Sequence, residues 1–136
     1  MNYSIFVIMA MSAALMFSAC KGNNEVKKLQ LATENIHDDA MKEMAVMNRI
    51  SRDLKKQLTA MDSAQVSSPR KDSMVLVLAN IRKAEEDMMQ WMTQYKDPKG
   101  MSNDAAISYL KDQKLKIEQN QRDILAAIDL GKRMQK

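Results

Sequence analysis

Soft sulfur, imidazole and indole recur at helical spacing in two short stretches. In the first, His37-Asp38-Asp39-Ala40-Met41-Lys42-Glu43-Met44-Ala45-Val46-Met47, the residues His37, Met41 and Met44 fall on adjoining turns of one helix face. The second, Met88-Met89-Gln90-Trp91-Met92, carries the only tryptophan of the chain. Thioethers suit Cu(I) and imidazole joins them readily. His37, Met41, Met44, Met88 and Met92, with Trp91 capping, therefore form a candidate Cu(I)/Ag(I) set. The same spacing has a plainer meaning. Methionine is a flexible filler of irregular helix contacts, and a methionine stripe at helical spacing reads first as core. An adaptable partner-binding groove is a further reading. On the core reading His37 is a seam histidine, and Trp91 anchors the helix contact with an indole N–H in need of an acceptor.

Other chemistry has little to work with. The chain has one histidine and one cysteine, and no glycine-rich phosphate loop, HExxH or GxSxG pattern. Glu85-Glu86-Asp87 and Asp38-Asp39 supply carboxylates, but consecutive helical residues fan out around the axis and do not converge on one bond. A non-enzymatic protein is expected, with solvated faces at both acidic runs.

The elements that position these residues are helices. Glycine and proline number only three and two, and a chain rich in Lys, Met, Ala, Leu and Gln favours long helices over sheet. The first helix is expected over about 25–61, with Val26, Thr33, His37, Ala40, Met44, Met47, Ser51, Leu54, Leu58 and Met61 inward and Ile36, Ile50 and Met41 widening the stripe. At about 1.5 Å per residue it spans roughly 55 Å, longer than a compact globule needs. Ser68-Pro69 is a start signal for a second helix over 69–96, since Ser caps free amides and Pro at the first helical position loses nothing. Its inward residues are Met74, Val77, Leu78, Ile81, Ala84, Met88, Trp91, Met92 and Tyr95, and Asp97-Pro98-Lys99-Gly100 marks its end. Ser102-Asn103-Asp104 caps a third helix over 103–131, with Ile107, Leu110, Ile117, Ile124 and Ile128 inward and Gln113, Lys114, Asn120 and Gln121 loosening its middle. Gly131 before Lys132-Arg133 reads as its terminus. Short loops predict an all-α, elongated, antiparallel up-down-up three-helix bundle over residues 25–136.

Residues 1–19 contain no Asp, Glu, Lys or Arg, and their apolar run stops at small residues before the only cysteine, Cys20. That is the anatomy of a secretory leader. The run Leu15-Met16-Phe17-Ser18-Ala19-Cys20 resembles the lipobox of bacterial lipoproteins, with Phe17 where that family prefers Leu. The resemblance implies a signal peptide over 1–19, cleavage before Cys20, lipid on its thiol and a tether over 20–24. Two or three acyl chains anchor stably where one is marginal. No other thiol is then left for a disulfide or thiolate site. Lys21 lacks the Asp that retains many lipoproteins in the inner membrane, which leaves the outer membrane facing the periplasm as the expected location.

The formal net charge of +4 would raise nucleic acid as a partner. The expected export argues against it, and the basic residues are interleaved with Asp and Glu. The expected partners are the membrane, through the lipid on Cys20, and an envelope protein. The ligand types His, Met and Trp resemble those of periplasmic copper/silver chaperones, a β-barrel family. The runs Ile36-His37-Asp38-Asp39-Ala40-Met41, Ala84-Glu85-Glu86-Asp87-Met88-Met89-Gln90-Trp91-Met92 and Tyr109-Leu110-Lys111-Asp112-Gln113-Lys114 resemble a group of small lipoproteins of Bacteroidota, often labelled viral A-type inclusion protein. That resemblance covers nearly the whole mature chain and brings no activity or functional residue with it.

Overall fold

Three helices pack together: α1 (Tyr3–Ser63), α2 (Pro69–Gln94) and α3 (Asn103–Met134). The computed structural model describes the backbone of residues 3–135 and the side chains of residues 22–135. The lipid expected on the Cys20 thiol lies outside those described side chains. Among the described residues there is no strand, and no helix is long and apolar enough to cross a membrane.

Helix boundaries follow local chemistry. The Ser68 side chain accepts from the Lys71 N–H at 3.3 Å, Pro69 takes the first helical position and Asp72 sits in the first turn of α2. The Ser102 hydroxyl accepts from the Ala105 N–H at 3.4 Å, with Asp104 in the first turn of α3. After Tyr95 the chain turns through buried Pro98, and Gly100 adopts φ +88°, which a side chain would strain. The turn closes with Met101 N–H donating to the Pro98 carbonyl at 3.0 Å.

Two boundaries differ from expectation by more than two residues. α1 runs on through Gly22, Asn23 and Asn24, where a tether was expected. One interior glycine costs a helix only about 1 kcal/mol, too little to stop it. Gly22 also lets α3 come close, since a Cβ there would lie 2.7 Å from Asn103 Nδ2. At the other end, Gly131 lies inside α3 rather than closing it, buried against Ile50.

All three helices feed one core. Ala40, Met44, Met47, Ile50 and Leu54 of α1 meet Met74, Val77, Ile81, Ala84, Met88 and Trp91 of α2 and Ile117, Ile124, Ala127 and Ile128 of α3. Leu58, Met61 and Ile107, expected inward, are only half-buried. The polar middle of α3 makes contacts within the helix and one across to α2. Buried Gln113 donates to Asp112 Oδ2 at 3.1 Å, Asn120 Nδ2 donates to the Asp87 carbonyl at 3.3 Å, and Lys114 pairs with Glu118. Leu110 and Ile117 on either side of Gln113 are fully buried.

Polar contacts fix which ends meet. Glu25 pairs with Lys111 at 3.4 Å, and Gln135 Nε2 donates to Asp53 Oδ2 at 3.3 Å, so the two ends of this part of α1 meet the start and finish of α3. Lys71 pairs with Asp62 across the first loop, and Arg70 Nη2 donates to the Met134 carbonyl at 2.6 Å. On the solvated faces Arg82 pairs with Glu86 at 3.6 Å and Lys83 with Asp87 at 2.6 Å, so neighbouring cations take up two carboxylates of the acidic run. Hydrogen bonding to Asp87 raises the pKa of Lys83, and Asp39 does the same for Lys42.

Candidate functional site

The sequence-predicted ligands divide three ways. His37, Met92 and Trp91 line one open cleft of about 430 Å³, together with Glu34, Asp38 and Tyr95. Met44 and Met88 are buried in the common core. Met41 is 37% exposed and lies outside that core. The two methionine clusters thus do not converge as a five-ligand set; what the fold brings together is the imidazole, one thioether and the indole.

Helix spacing explains the grouping. Glu34 and His37 stand one turn apart on α1, with Asp38 beside His37, while Trp91 and Tyr95 stand one turn apart at the end of α2. α1 and α2 face each other at this level, so the rings pack as a ladder. The His37 and Trp91 centroids are 5.6 Å apart with planes 29° from parallel, and Trp91 and Tyr95 are 4.9 Å apart at 30°. Tyr109 of α3 extends the series at 6.2 Å from Tyr95, in a tilted arrangement. Its hydroxyl accepts the Lys96 N–H at 2.7 Å, tying the ladder to the end of α2. Tyr95 was legible as an inward residue but not as a partner of the cluster. Its spacing of four from Trp91 was the available signal, as was that of Glu34, three from His37.

The electrostatics of the cleft are one-sided. Glu34 and Asp38 line it, and among the described residues no Lys or Arg does. Gln30 Nε2 donates to Glu34 Oε1 at 3.0 Å, and His37 Nδ1 lies 3.1 Å from Asp38 Oδ1. Beneath the opening, Trp91 is only 8% exposed, and among the described residues its Nε1 has no hydrogen-bond partner; nor has the buried hydroxyl of Tyr95. The indole acceptor that the sequence required is therefore not among the described residues. Among the described residues no group of three or more His, Cys, Asp or Glu is arranged to hold a metal ion.

Burial, and then the negative charge of Glu34, hold the Tyr95 hydroxyl above its ordinary pKa of 10.0. The folded state binds that proton more tightly than the unfolded chain, so the associated stability is complete below pH 10 and fades as pH rises through the higher folded value. Tyr95→Phe removes both the unpaired hydroxyl and this alkaline penalty. It is expected to leave stability within about 1 kcal/mol of wild type at pH 7, on the favourable side, because an unsatisfied buried hydroxyl is lost with no partner orphaned. Its advantage should widen above pH 10. Urea unfolding of both proteins at pH 7 and pH 10.5 checks it; a marked loss at pH 7 would mean that the hydroxyl is paired.

Compared with protein-family models, curated proteins and solved structures, the chain matches none.

Proposed function

We propose that this protein is a non-enzymatic lipoprotein of the cell envelope, cut before Cys20 and held by lipid on that thiol. On this reading it stands in the outer membrane facing the periplasm and presents an elongated, antiparallel up-down-up bundle as an interaction module. The observation that carries the proposal is the uncharged apolar run over 1–19 ending at the only cysteine. A charged three-helix domain follows directly, and the small Bacteroidota lipoproteins that it resembles are the group to which it is assigned. The partner face is the cleft of His37, Trp91, Met92 and Tyr95, where half-buried His37, Met92 and Tyr95 stand over the buried Trp91 ring and Glu34 and Asp38 flank them. Such a face suits the helix of an envelope protein, since aromatic anchors carry much of the energy of helix-in-groove contacts. Intact-mass analysis of the membrane-extracted protein tests the anchor. A chain beginning at Cys20 and carrying diacylglycerol is the expected result, and an unmodified chain that retains residues 1–19 would overturn it.

A second reading is favoured by one observation, the sharing of that cleft by His37, Met92 and Trp91. A Cu(I) or Ag(I) ion held by His37 and Met92 beside the indole would quench Trp91. Anaerobic Cu(I) titration against a competing chelator separates the readings. Tight one-to-one quenching lost in His37→Ala and Met92→Ala establishes a soft-metal site, and quenching no tighter than that of a scrambled Met-rich helix removes it.

A further inference from the structure

The end of the bundle nearest Cys20 is built around the turn that joins α2 to α3. The backbone of Cys20 lies within α1, two residues before Gly22, and at about 1.5 Å of rise per residue that is roughly 3 Å of helix. At Gly22 the start of α3 presses on α1, with Asn103 Nδ2 only 2.7 Å from where a Cβ would stand. Just beyond, Glu25 is paired with Lys111 at 3.4 Å. Asn23 and Val26 of α1 share one concave surface with Asp97, Pro98, Gly100 and Met101 of the turn. The turn is held at the level of residues 22–26.

Its shape is fixed from within. Lys96 N–H donates to the Tyr109 hydroxyl at 2.7 Å, Lys99 N–H to Asp97 Oδ1 at 3.0 Å, and Met101 N–H to the Pro98 carbonyl at 3.0 Å. What it turns outward is the side chains of Lys96 and Lys99 and the thioether of Met101, which is 41% exposed. Lys27 and Lys28 are exposed on the adjoining part of α1. Among the described residues no carboxylate pairs with any of these four lysines, although most lysines of α3 are paired. A rigid turn, an exposed apolar tip and unpaired ammonium groups thus stand together beside the attachment point.

We infer that the α2–α3 turn is a membrane-contact surface, with Lys96 and Lys99 on the phosphates of anionic lipid headgroups and Met101 among them. The inference rests on the lipid-anchor reading, because only an anchored Cys20 brings this end of the bundle to a bilayer. Given that anchor, α1 leaves no slack to hold the turn away from the lipid. Basic side chains close to an anionic leaflet are attracted to it over about a Debye length, and a flexible apolar tip tolerates the headgroup region. The bundle is seated on the membrane by two points, the lipid and the turn, which orients its far end and the His37–Trp91 cleft relative to the surface.

The experiment uses the full chain, processed in cells and reconstituted in phosphatidylethanolamine vesicles with or without phosphatidylglycerol, with nitroxide-headgroup lipid as quencher. Met101→Cys, or Lys99→Cys should the first disturb folding, carries a thiol-reactive dye; Val66→Cys in the α1–α2 loop is the control, roughly 60 Å away along α1. Cys20 is the only native cysteine, so dye uptake by the parent protein reports whether its thiol is blocked. Loss of emission at 101 but not at 66, greater with phosphatidylglycerol and relieved by Lys96→Glu with Lys99→Glu, is the expected result. A blocked Cys20 with no quenching at 101 would overturn the contact surface and leave the anchor standing. Quenching at 101 indifferent to phosphatidylglycerol and to both charge reversals would overturn the phosphate contact. Dye uptake by the parent at Cys20 would overturn the anchor itself.

Discussion

Met88→Ala is expected to cost the bundle about 2–5 kcal/mol, whereas Met89→Ala, one residue away, should stay within about 0.5 kcal/mol of wild type. Met88 is fully buried in the core shared by all three helices, and Met89, about 100° further round α2, is 53% exposed. Truncation at 88 removes the transfer energy of the thioether stem and leaves a cavity that three packed helices can collapse only in part. A domain of this size has a total stability of about 5–15 kcal/mol, so the loss is a large share of what holds it folded. Urea unfolding followed by helical circular dichroism measures the difference, and similar losses at 88 and 89 would sink the assignment. The pair also bears on the chemistry. If Met88 acts as filler, its removal lowers stability and leaves any Cu(I) response of Trp91 in place. If it is a ligand, metal response and fold are lost together.

That contrast marks what a single sequence discloses. The stripe of α2 was legible because its apolar residues follow one helical period between a Ser-Pro start and an Asp-Pro-Lys-Gly stop: Met74, Val77, Ile81, Ala84, Met88 and Trp91 are buried, while Leu78, Met92 and Tyr95 of the same expected stripe are half-buried. Both N-caps could be read for the same reason, since capping is a contact within a few residues. The fate of the His/Met set was not legible. His37, Met41 and Met44 share a face on paper, yet the neighbours of that face change from residue to residue along the bundle. At the level of His37 the opposing residue is Trp91, whose ring stacks on the imidazole and holds it at the rim; four residues on, Met41 lies at the flank, and Met44 returns to the core. Only the relative rotation of two helices decides this, and no local pattern records it. Gln113 was misjudged in a similar way. A buried amide looks like a flaw in a stripe until its donor contact with Asp112 is known.

Gly131→Ala is expected to destabilise the protein by about 1–2 kcal/mol, although the same change in an exposed helix interior stabilises by about 1 kcal/mol. The sequence placed Gly131 at a helix end, where glycine serves for its backbone freedom. Instead it lies inside α3, buried, at a point where α1 and α3 approach so closely that a new Cβ would overlap Ile50 Cγ2. The obstructing methyl is borne directly on Cβ of a β-branched residue, whose χ1 is stiff in a helix, so it cannot swing aside as the tip of a long side chain would. Relief must come from parting the helices, which loosens the packing of Ile50 with the rest of the core. The cause is tested by moving the methyl. Ile50→Leu keeps the volume but shifts the branch one carbon out, opening the place the Ala methyl needs. Alone it should cost less than about 1.5 kcal/mol as a volume-conserving swap. Combined with Gly131→Ala it should recover most of the loss, giving a favourable coupling of about 1 kcal/mol in the double-mutant cycle. Additive losses would place the strain elsewhere, and a stabilised Gly131→Ala would show that the two helices do not meet at this glycine.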